Sequence, residues 1–210
     1  MTDEKYWNEV YYKELENVKP DFLKDIWLEN KKEIIDKVKN KNAIDLGCGL
    51  GQDTGWLLKN GFQVVSCDFS KRALKKVEEH YPSARVMELN IANGLPFQDN
   101  SIGLVNANLS LHYFTMEKTE YIFAEIYRVL EPNGLLIGRV NSDKNNYVDE
   151  NCKEIETNFY YDAVKDQHKR LFNQEQFAML KKKWNVVVLK EEETVRKGRK
   201  KYTWEFILRK

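Results

Sequence analysis

No stretch of this chain approaches the roughly 20 consecutive apolar residues that a membrane span needs. The start, MTDEKYWNEV, lacks the basic and then apolar pattern of a secretory signal. Cysteine is scarce. Cys48, Cys67 and Cys152 cannot all pair, and neither CxxC nor any Cys/His ligand spacing occurs. A disulfide framework is therefore excluded, no metal site is expected, and reduced thiols in a cytoplasmic protein are the expectation. Charge of one sign is missing too: 34 basic residues face 33 acidic ones, for a net +1. Such a balance gives no global field to recruit nucleic acid or an anionic membrane. Internal repeats, low-complexity linkers and a recognisable catalytic triad are all absent.

What is present is alternation. The runs AIDLG (43–47), FQVVSC (62–67), ARVMEL (84–89), IGLVNA (102–107) and LLIGRV (135–140) are apolar with little polar interleaving, as strands covered on both faces should be. Helical patterns lie between them, so a parallel α/β sheet is expected. Asp53 or Thr54 can cap a helix that Asn60-Gly61 ends, and Ser70 can cap KRALKKVEEHY. Thr119 to Leu130 places Ile122, Phe123, Ile126 and Leu130 at helical spacing, after which Pro132-Asn133-Gly134 is expected to turn. WNVVVLK (184–190) and YTWEFILRK (202–210) read as an antiparallel pair joined by a charged loop. The expected fold is α/β: a Rossmann-like, seven-stranded, mostly parallel sheet flanked by helices and finished by an antiparallel hairpin. Within one domain, 1–42 reads as a helical cap, 43–140 as a ligand-binding core, 141–172 as a lid or substrate insertion, and 173–210 as the last helix and hairpin.

The segment AIDLGCGLGQDT places Gly47, Gly49 and Gly51 immediately after the first strand. A glycine turn there is where α/β folds bind nucleotides. The dinucleotide fingerprint GxGxxG wants glycine or alanine at position 52, and Gln52 stands there instead. Asp68, at the end of the second strand, can accept hydrogen bonds from both ribose hydroxyls. Together these features point to a nucleoside ligand.

AIDLGCGLG (43–51), VVSCDFS (64–70), MELNIANGLPFQDNSIGLV (87–105), NLSLHYF (108–114) and YRVLEPNGLLIGRV (127–140) together resemble the class I S-adenosylmethionine-dependent methyltransferases. The likeness is to their small-molecule, type 11-like branch. It implies S-adenosylmethionine as cofactor and S-adenosylhomocysteine as product. It also implies that Asp45 and the turn of Gly47, Cys48, Gly49 and Gly51 lie against the methionine part. Asp68 would hold the ribose hydroxyls, Phe69 would cover one adenine face, and Asn90 with the Ile91 backbone would meet the adenine edge. Asn108 and Leu109 would turn carbonyls to the ammonium group. Two departures stand out: Asn90 replaces a frequent aspartate, and Ile102-Gly103 replaces a usual Phe-Asp, which puts local packing in question.

Methyl transfer from a sulfonium is an in-line displacement with a good leaving group, so orientation does most of the work. A general base matters only where the acceptor must lose a proton. His112, after the fourth strand, is the candidate base, with a structural histidine as the competing reading. Trp7 and Tyr11 lie four apart in an aromatic N-terminal segment and, with Tyr113, are candidate acceptor contacts. His80 and His168 are expected at the surface, and RKGRKK (196–201) as a solvated hairpin tip. The expected partner is a small-molecule acceptor, with neither membrane nor nucleic acid, for a monomer or a homodimer. An RNA or protein acceptor and a non-catalytic cofactor-binding module remain alternatives, with a dinucleotide oxidoreductase behind them.

Overall fold

Five strands, β1 (Asn42–Leu46), β2 (Gln63–Asp68), β3 (Arg85–Glu88), β4 (Ile102–Asn108) and β5 (Leu130–Asn141), pair in parallel in the computed structural model. A separate antiparallel sheet follows, made of β6 (Cys152–Glu156), β7 (Phe159–Asp162) and β8 (Gln167–Arg170). The chain then returns to the large sheet as β9 (Asn185–Arg196) and β10 (Arg199–Arg209). Residues 7, 27–145, 148–196 and 199–210 are described by the structure. The order across the seven-stranded sheet is β3-β2-β1-β4-β5-β10-β9, with β10 antiparallel to both neighbours. This is the expected Rossmann-like sheet. The expected cap over 1–42, with Tyr11, lies largely outside the described residues.

Among the described residues, four helices of seven or more residues cover the sheet: α1 (Gln52–Lys59), α2 (Lys71–His80), α3 (Met116–Val129) and α4 (Gln174–Leu180). α3 buries Ile122, Phe123, Ile126 and Val129 at helical spacing. Their cluster takes in Leu46, Val105 and Phe206 of the sheet and Phe177 of α4. On the other face Leu57 of α1 packs with Trp27, Ile35, Val64, Leu104 and Ile137. A core on both sides is why β4 is buried at every position but its last.

Local chemistry sets the helix ends. The Ser70 hydroxyl accepts from the Ala73 N–H at 3.3 Å, the expected cap of α2. For α1 the expectation needs correction: Gly51, at φ +80°, is the N-cap, while Asp53 and Thr54 both turn inward. α3 starts earlier than expected because Thr115 caps it through the Lys118 N–H. Pro132-Asn133-Gly134 turns as expected, but inside β5: between Ile102 and Leu104 of β4 the pairing jumps from Leu130 to Leu135, and Asn133 takes φ +70°. The Asn133 N–H donates to the Lys210 carbonyl, and the Lys210 N–H to that of Gly134, so residue 210 draws the segment into the sheet. Gly103 is explained by its neighbour, since a Cβ there would run into the Asn40 backbone.

Residues 191–201 also differ from expectation. They are mostly strand, not loop, because charge crosses the pair: Lys200 bridges Glu193 at 2.9 Å and the Tyr202 hydroxyl donates to Glu193 at 2.7 Å. His168 is half-buried instead of lying at the surface, stacked on Phe159 at 5.4 Å.

Candidate active site at the carboxyl end of the parallel strands

The turn after β1 is held by the end of β2. Gly47 and Cys48 donate their N–H groups to the Cys67 carbonyl at 2.8 and 3.0 Å. Gly47, Gly49 and Gly51 have φ of +70°, +52° and +80°, the left-handed region that glycine enters without strain. Gly47 is further constrained, because a Cβ on it would lie 2.5 Å from Cβ of Ser110. The turn therefore wraps the start of the loop after β4. Buried Cys48 packs with Leu74 and Val77, and burial pushes its thiol pKa far up, so it is inert filling.

Asp68 ends β2. Its two oxygens accept from the Gly49 N–H at 3.0 Å and the Ser70 N–H at 2.9 Å, so one carboxylate joins the glycine turn to the start of α2. Burial raises its pKa, and the N–H groups of Ser70, Gly49 and Phe69 oppose that rise. The Leu89 N–H donates to the Asp68 carbonyl at 2.9 Å, which brings Asn90 and Ile91 to the same sheet edge. Asn90 is exposed and its side-chain oxygen accepts from Ala92 at 3.0 Å, while Ile91 is buried. Phe69 is half-buried.

Beneath the turn lies a polar network that joins Asp45 and Asn108, both expected at the site, to Thr54, Asp53, Asn106, Trp27 and Arg139. Asp45 accepts from the Thr54 hydroxyl and from Asn106 Nδ2, each at 2.7 Å. Asp53 accepts from Asn106 and Asn108 at 3.1 and 2.8 Å and from the Trp27 indole at 3.1 Å. Arg139 donates to Asn108 Oδ1 at 2.9 Å and lies over the Trp27 ring at 4.7 Å. Burial, and then the charge of Asp53, push the Asp45 pKa up to about 7. The signal was available in NANLS, where asparagines at 106 and 108 interrupt a buried strand two residues apart, on one face.

Leu109 follows at φ +58°, an uncommon conformation for a branched residue, fixed by its N–H to the Arg139 carbonyl at 2.9 Å. Strain of this kind persists only where the surroundings over-determine it. Four buried side-chain atoms of this region have no hydrogen-bond partner among the described residues: Asn106 Oδ1, Ser110 Oγ, His112 Nδ1 and Asn141 Oδ1. All belong to the C-terminal halves of β4 and β5 or to the loop after β4. Buried polar atoms are normally satisfied, so a concentration of orphans marks where a polar ligand fits.

His112 is buried, with its ring 4.3 Å from that of Tyr113. Burial, reinforced by Lys169 and Lys201, holds its pKa well below the ordinary imidazole range, so the ring is neutral. The Trp7 ring meets Tyr113 edge-on at 5.7 Å, bringing two of the three candidate acceptor contacts together. The third, Tyr11, lies outside the described residues. Among the described residues no cluster of His, Cys, Asp or Glu could hold a metal ion, and no helix is long and apolar enough to cross a membrane.

Comparison with known proteins supplies the context. Residues 44–138 match a family described as a methyltransferase domain. An uncharacterized methyltransferase of Synechocystis sp. is 34% identical over 95 residues, covering 45% of this chain and 44% of that protein. Phosphoethanolamine N-methyltransferase 1 of Triticum aestivum is 31% identical over 119 residues, covering 53% of this chain and 24% of that protein. The chain thus spans less than half the length of these relatives. Among solved structures, Burkholderia thailandensis 1,6-didemethyltoxoflavin-N1-methyltransferase, with bound 1,6-didemethyltoxoflavin and S-adenosylhomocysteine, superposes with a TM-score of 0.61. At 16% identity, over 89% of this chain and 81% of that one, the likeness is one of fold.

Proposed function

We propose, from the match of residues 44–138 to a methyltransferase domain and the likeness to the Synechocystis methyltransferase, that this chain is a class I S-adenosylmethionine-dependent methyltransferase and transfers a methyl group from S-adenosylmethionine to a small-molecule acceptor. The observation that carries the reading is the glycine turn, where Gly47 has no room for a side chain and Gly49 is bonded to Asp68. Backbone that is bare and preorganised beside a ribose-binding carboxylate suits a nucleoside cofactor. The orphaned atoms of Asn106 and Ser110, close to the same turn, supply polar groups for its methionine end.

S-adenosylmethionine supplies a methyl group on a positively charged sulfur and leaves as S-adenosylhomocysteine. The chain's own residues bind, orient and exclude water. In this reading Asp45 and Gly47, Cys48, Gly49 and Gly51 enclose the methionine end, and Asp68 takes the ribose hydroxyls. Phe69, Asn90 and Ile91 take the adenine. The carbonyls of Asn108 and Leu109 face the ammonium, which accounts for tolerating a left-handed leucine. Trp7, Tyr11 and Tyr113 enclose the acceptor, and neutral His112 takes its proton where it has one to lose.

A small acceptor is favoured over RNA or protein by the near-zero net charge. It is also favoured by β6–β8, which stands directly beside the His112 loop, its Arg170 N–H bonded to the His112 carbonyl at 2.7 Å. The structural neighbour from Burkholderia thailandensis binds a small heterocycle. Isothermal calorimetry against S-adenosylmethionine, S-adenosylhomocysteine and NAD tests the cofactor. Micromolar binding of the first two and none of NAD is expected, and a preference for NAD would overturn the reading. A screen of small-molecule acceptors, read as S-adenosylhomocysteine released, then identifies the substrate.

A further inference from the structure

Arg170, at the end of β8, is among the largest fully buried side chains of the protein. Its guanidinium donates from Nε to the Phe114 carbonyl at 3.0 Å and from Nη1 to the Thr157 carbonyl at 3.2 Å, while Nη2 bonds to Glu156. Its backbone N–H holds the His112 carbonyl. Glu156 in turn accepts from the Met116 N–H at 2.6 Å, at the start of α3. One residue pair therefore grips residues 112, 114 and 116 in succession. The Thr157 carbonyl also accepts from Gln176 of α4 at 3.2 Å, so the grip is anchored on a second element. The rings of Phe159 and Phe172, 5.0 and 5.9 Å from the guanidinium carbon, close the space around it.

Burying a guanidinium is costly, and well-packed apolar replacements of such pairs are often neutral or stabilising. What an apolar side chain cannot do is fix several carbonyls at set distances and angles. We propose that Arg170, acting with Glu156, is the positioning residue of the acceptor half: it locks residues 112–116 against β6–β8 and so fixes the His112 ring and Tyr113. In naming an acceptor half, this rests on the function proposed above. It makes β6–β8 a fixed wall whose grip sets acceptor geometry, and the cofactor turn is independent of it.

The test uses the full chain and NMR of its carbon-13-labelled histidines, with His112 assigned by its loss in His112→Gln. The charged groups acting on that ring are Lys169 of β8 and Lys201 of β10, and neither is altered. In the unmodified protein the His112 signal should titrate, if at all, well below the ordinary imidazole range, as befits a buried neutral imidazole. In Glu156→Gln and Arg170→Met the loosened loop should admit water and bring its midpoint up toward the ordinary range, about pH 6 to 7. Arg170→Lys should fall between, a partial rescue. Affinity for S-adenosylhomocysteine should stay within about twofold in every variant, as expected of separate sites. If His112 remains silent in folded Glu156→Gln, or if the variants lose only heat stability, Arg170 is merely structural and the proposal falls. Failure of the unmodified protein to bind S-adenosylhomocysteine would count against the functional reading instead, while the histidine signal still decides the positioning claim.

Discussion

The two halves of the proposed site are built by different means. The cofactor half is local: β1, its glycine turn and the end of β2 lie within residues 42–68, and its bonds run from backbone N–H to Cys67 and Asp68. The acceptor half is assembled from afar, with Arg170 reaching Phe114 and Trp7 reaching Tyr113. The first depends on the absence of side chains and the second on their presence. A scaffold with one conserved-by-geometry half and one side-chain-built half can change acceptor without rebuilding its cofactor turn.

Breaking the acceptor half alone gives the largest expected effect. His112→Gln should lower turnover on a proton-bearing acceptor by about 10²–10⁴-fold with cofactor affinity unchanged. Steady-state kinetics beside calorimetry checks this, and unaffected turnover removes the base. Breaking the cofactor half should do the reverse. Gly47→Ala meets Ser110 and a left-handed backbone at once, so binding of S-adenosylhomocysteine should weaken by about 100-fold, some 2.7 kcal/mol. Gly61→Ala is the control. Its φ of +82° brings strain of about 1–2 kcal/mol, but nothing lies within 4 Å of the added carbon, so only melting temperature should move. Asp68→Ala should weaken cofactor binding by about tenfold or more, near 1.4 kcal/mol. Unchanged affinity would sink the ribose assignment.

The smallest expected effect sharpens the contrast. Asp45 has its pKa raised to about 7 in the folded protein. Any stability it contributes is fully present below the ordinary aspartate range and is lost as pH rises through about 7. His112 is shifted the other way, so its contribution is present above the ordinary imidazole range and is lost as pH falls below it. Below about pH 7 the two act with opposite sign: Asp45→Asn should remove a fall in melting temperature as pH rises toward 7, and His112→Gln a fall as pH drops below the ordinary imidazole range, each by about a few degrees. Calorimetric scans from pH 5 to 8 decide it; slopes changed in the same direction by both variants would refute the division.

The two halves also differ in how far the sequence reveals them. All seven strands of the large sheet were visible as apolar runs, because strands covered on both faces need them. The turn of Gly47, Gly49 and Gly51 was visible because few other reasons gather glycines so closely. The roles of Asp53 and Thr54 were misread, since a capping residue and an inward hydrogen-bonding residue look alike in sequence. The segment that forms β6–β8 reads from sequence only as a lid or substrate insertion. Its strands are short and mostly half-exposed, and what orders them is Arg170 among carbonyls, a tertiary fact without a local pattern. Trp27 and Arg139 escaped notice for the same reason: each acts through a partner distant in sequence.

The placement of β10 between β5 and β9 has a consequence for how the molecule is made. β9 emerges from the ribosome first, yet the strand that joins it to the sheet is β10, the later of the two. Until residues 199–209 are available, β9 has no bonding partner in the sheet and β5 presents an open edge. Both are then templates for mispairing. Pairing β5 with β10 also closes a long loop that holds all of β6–β8 and α4, the kind of distant contact that slows folding. Synthesis thus runs ahead of assembly on this side of the sheet, and of these two strands the later is the one that lets the earlier take its place.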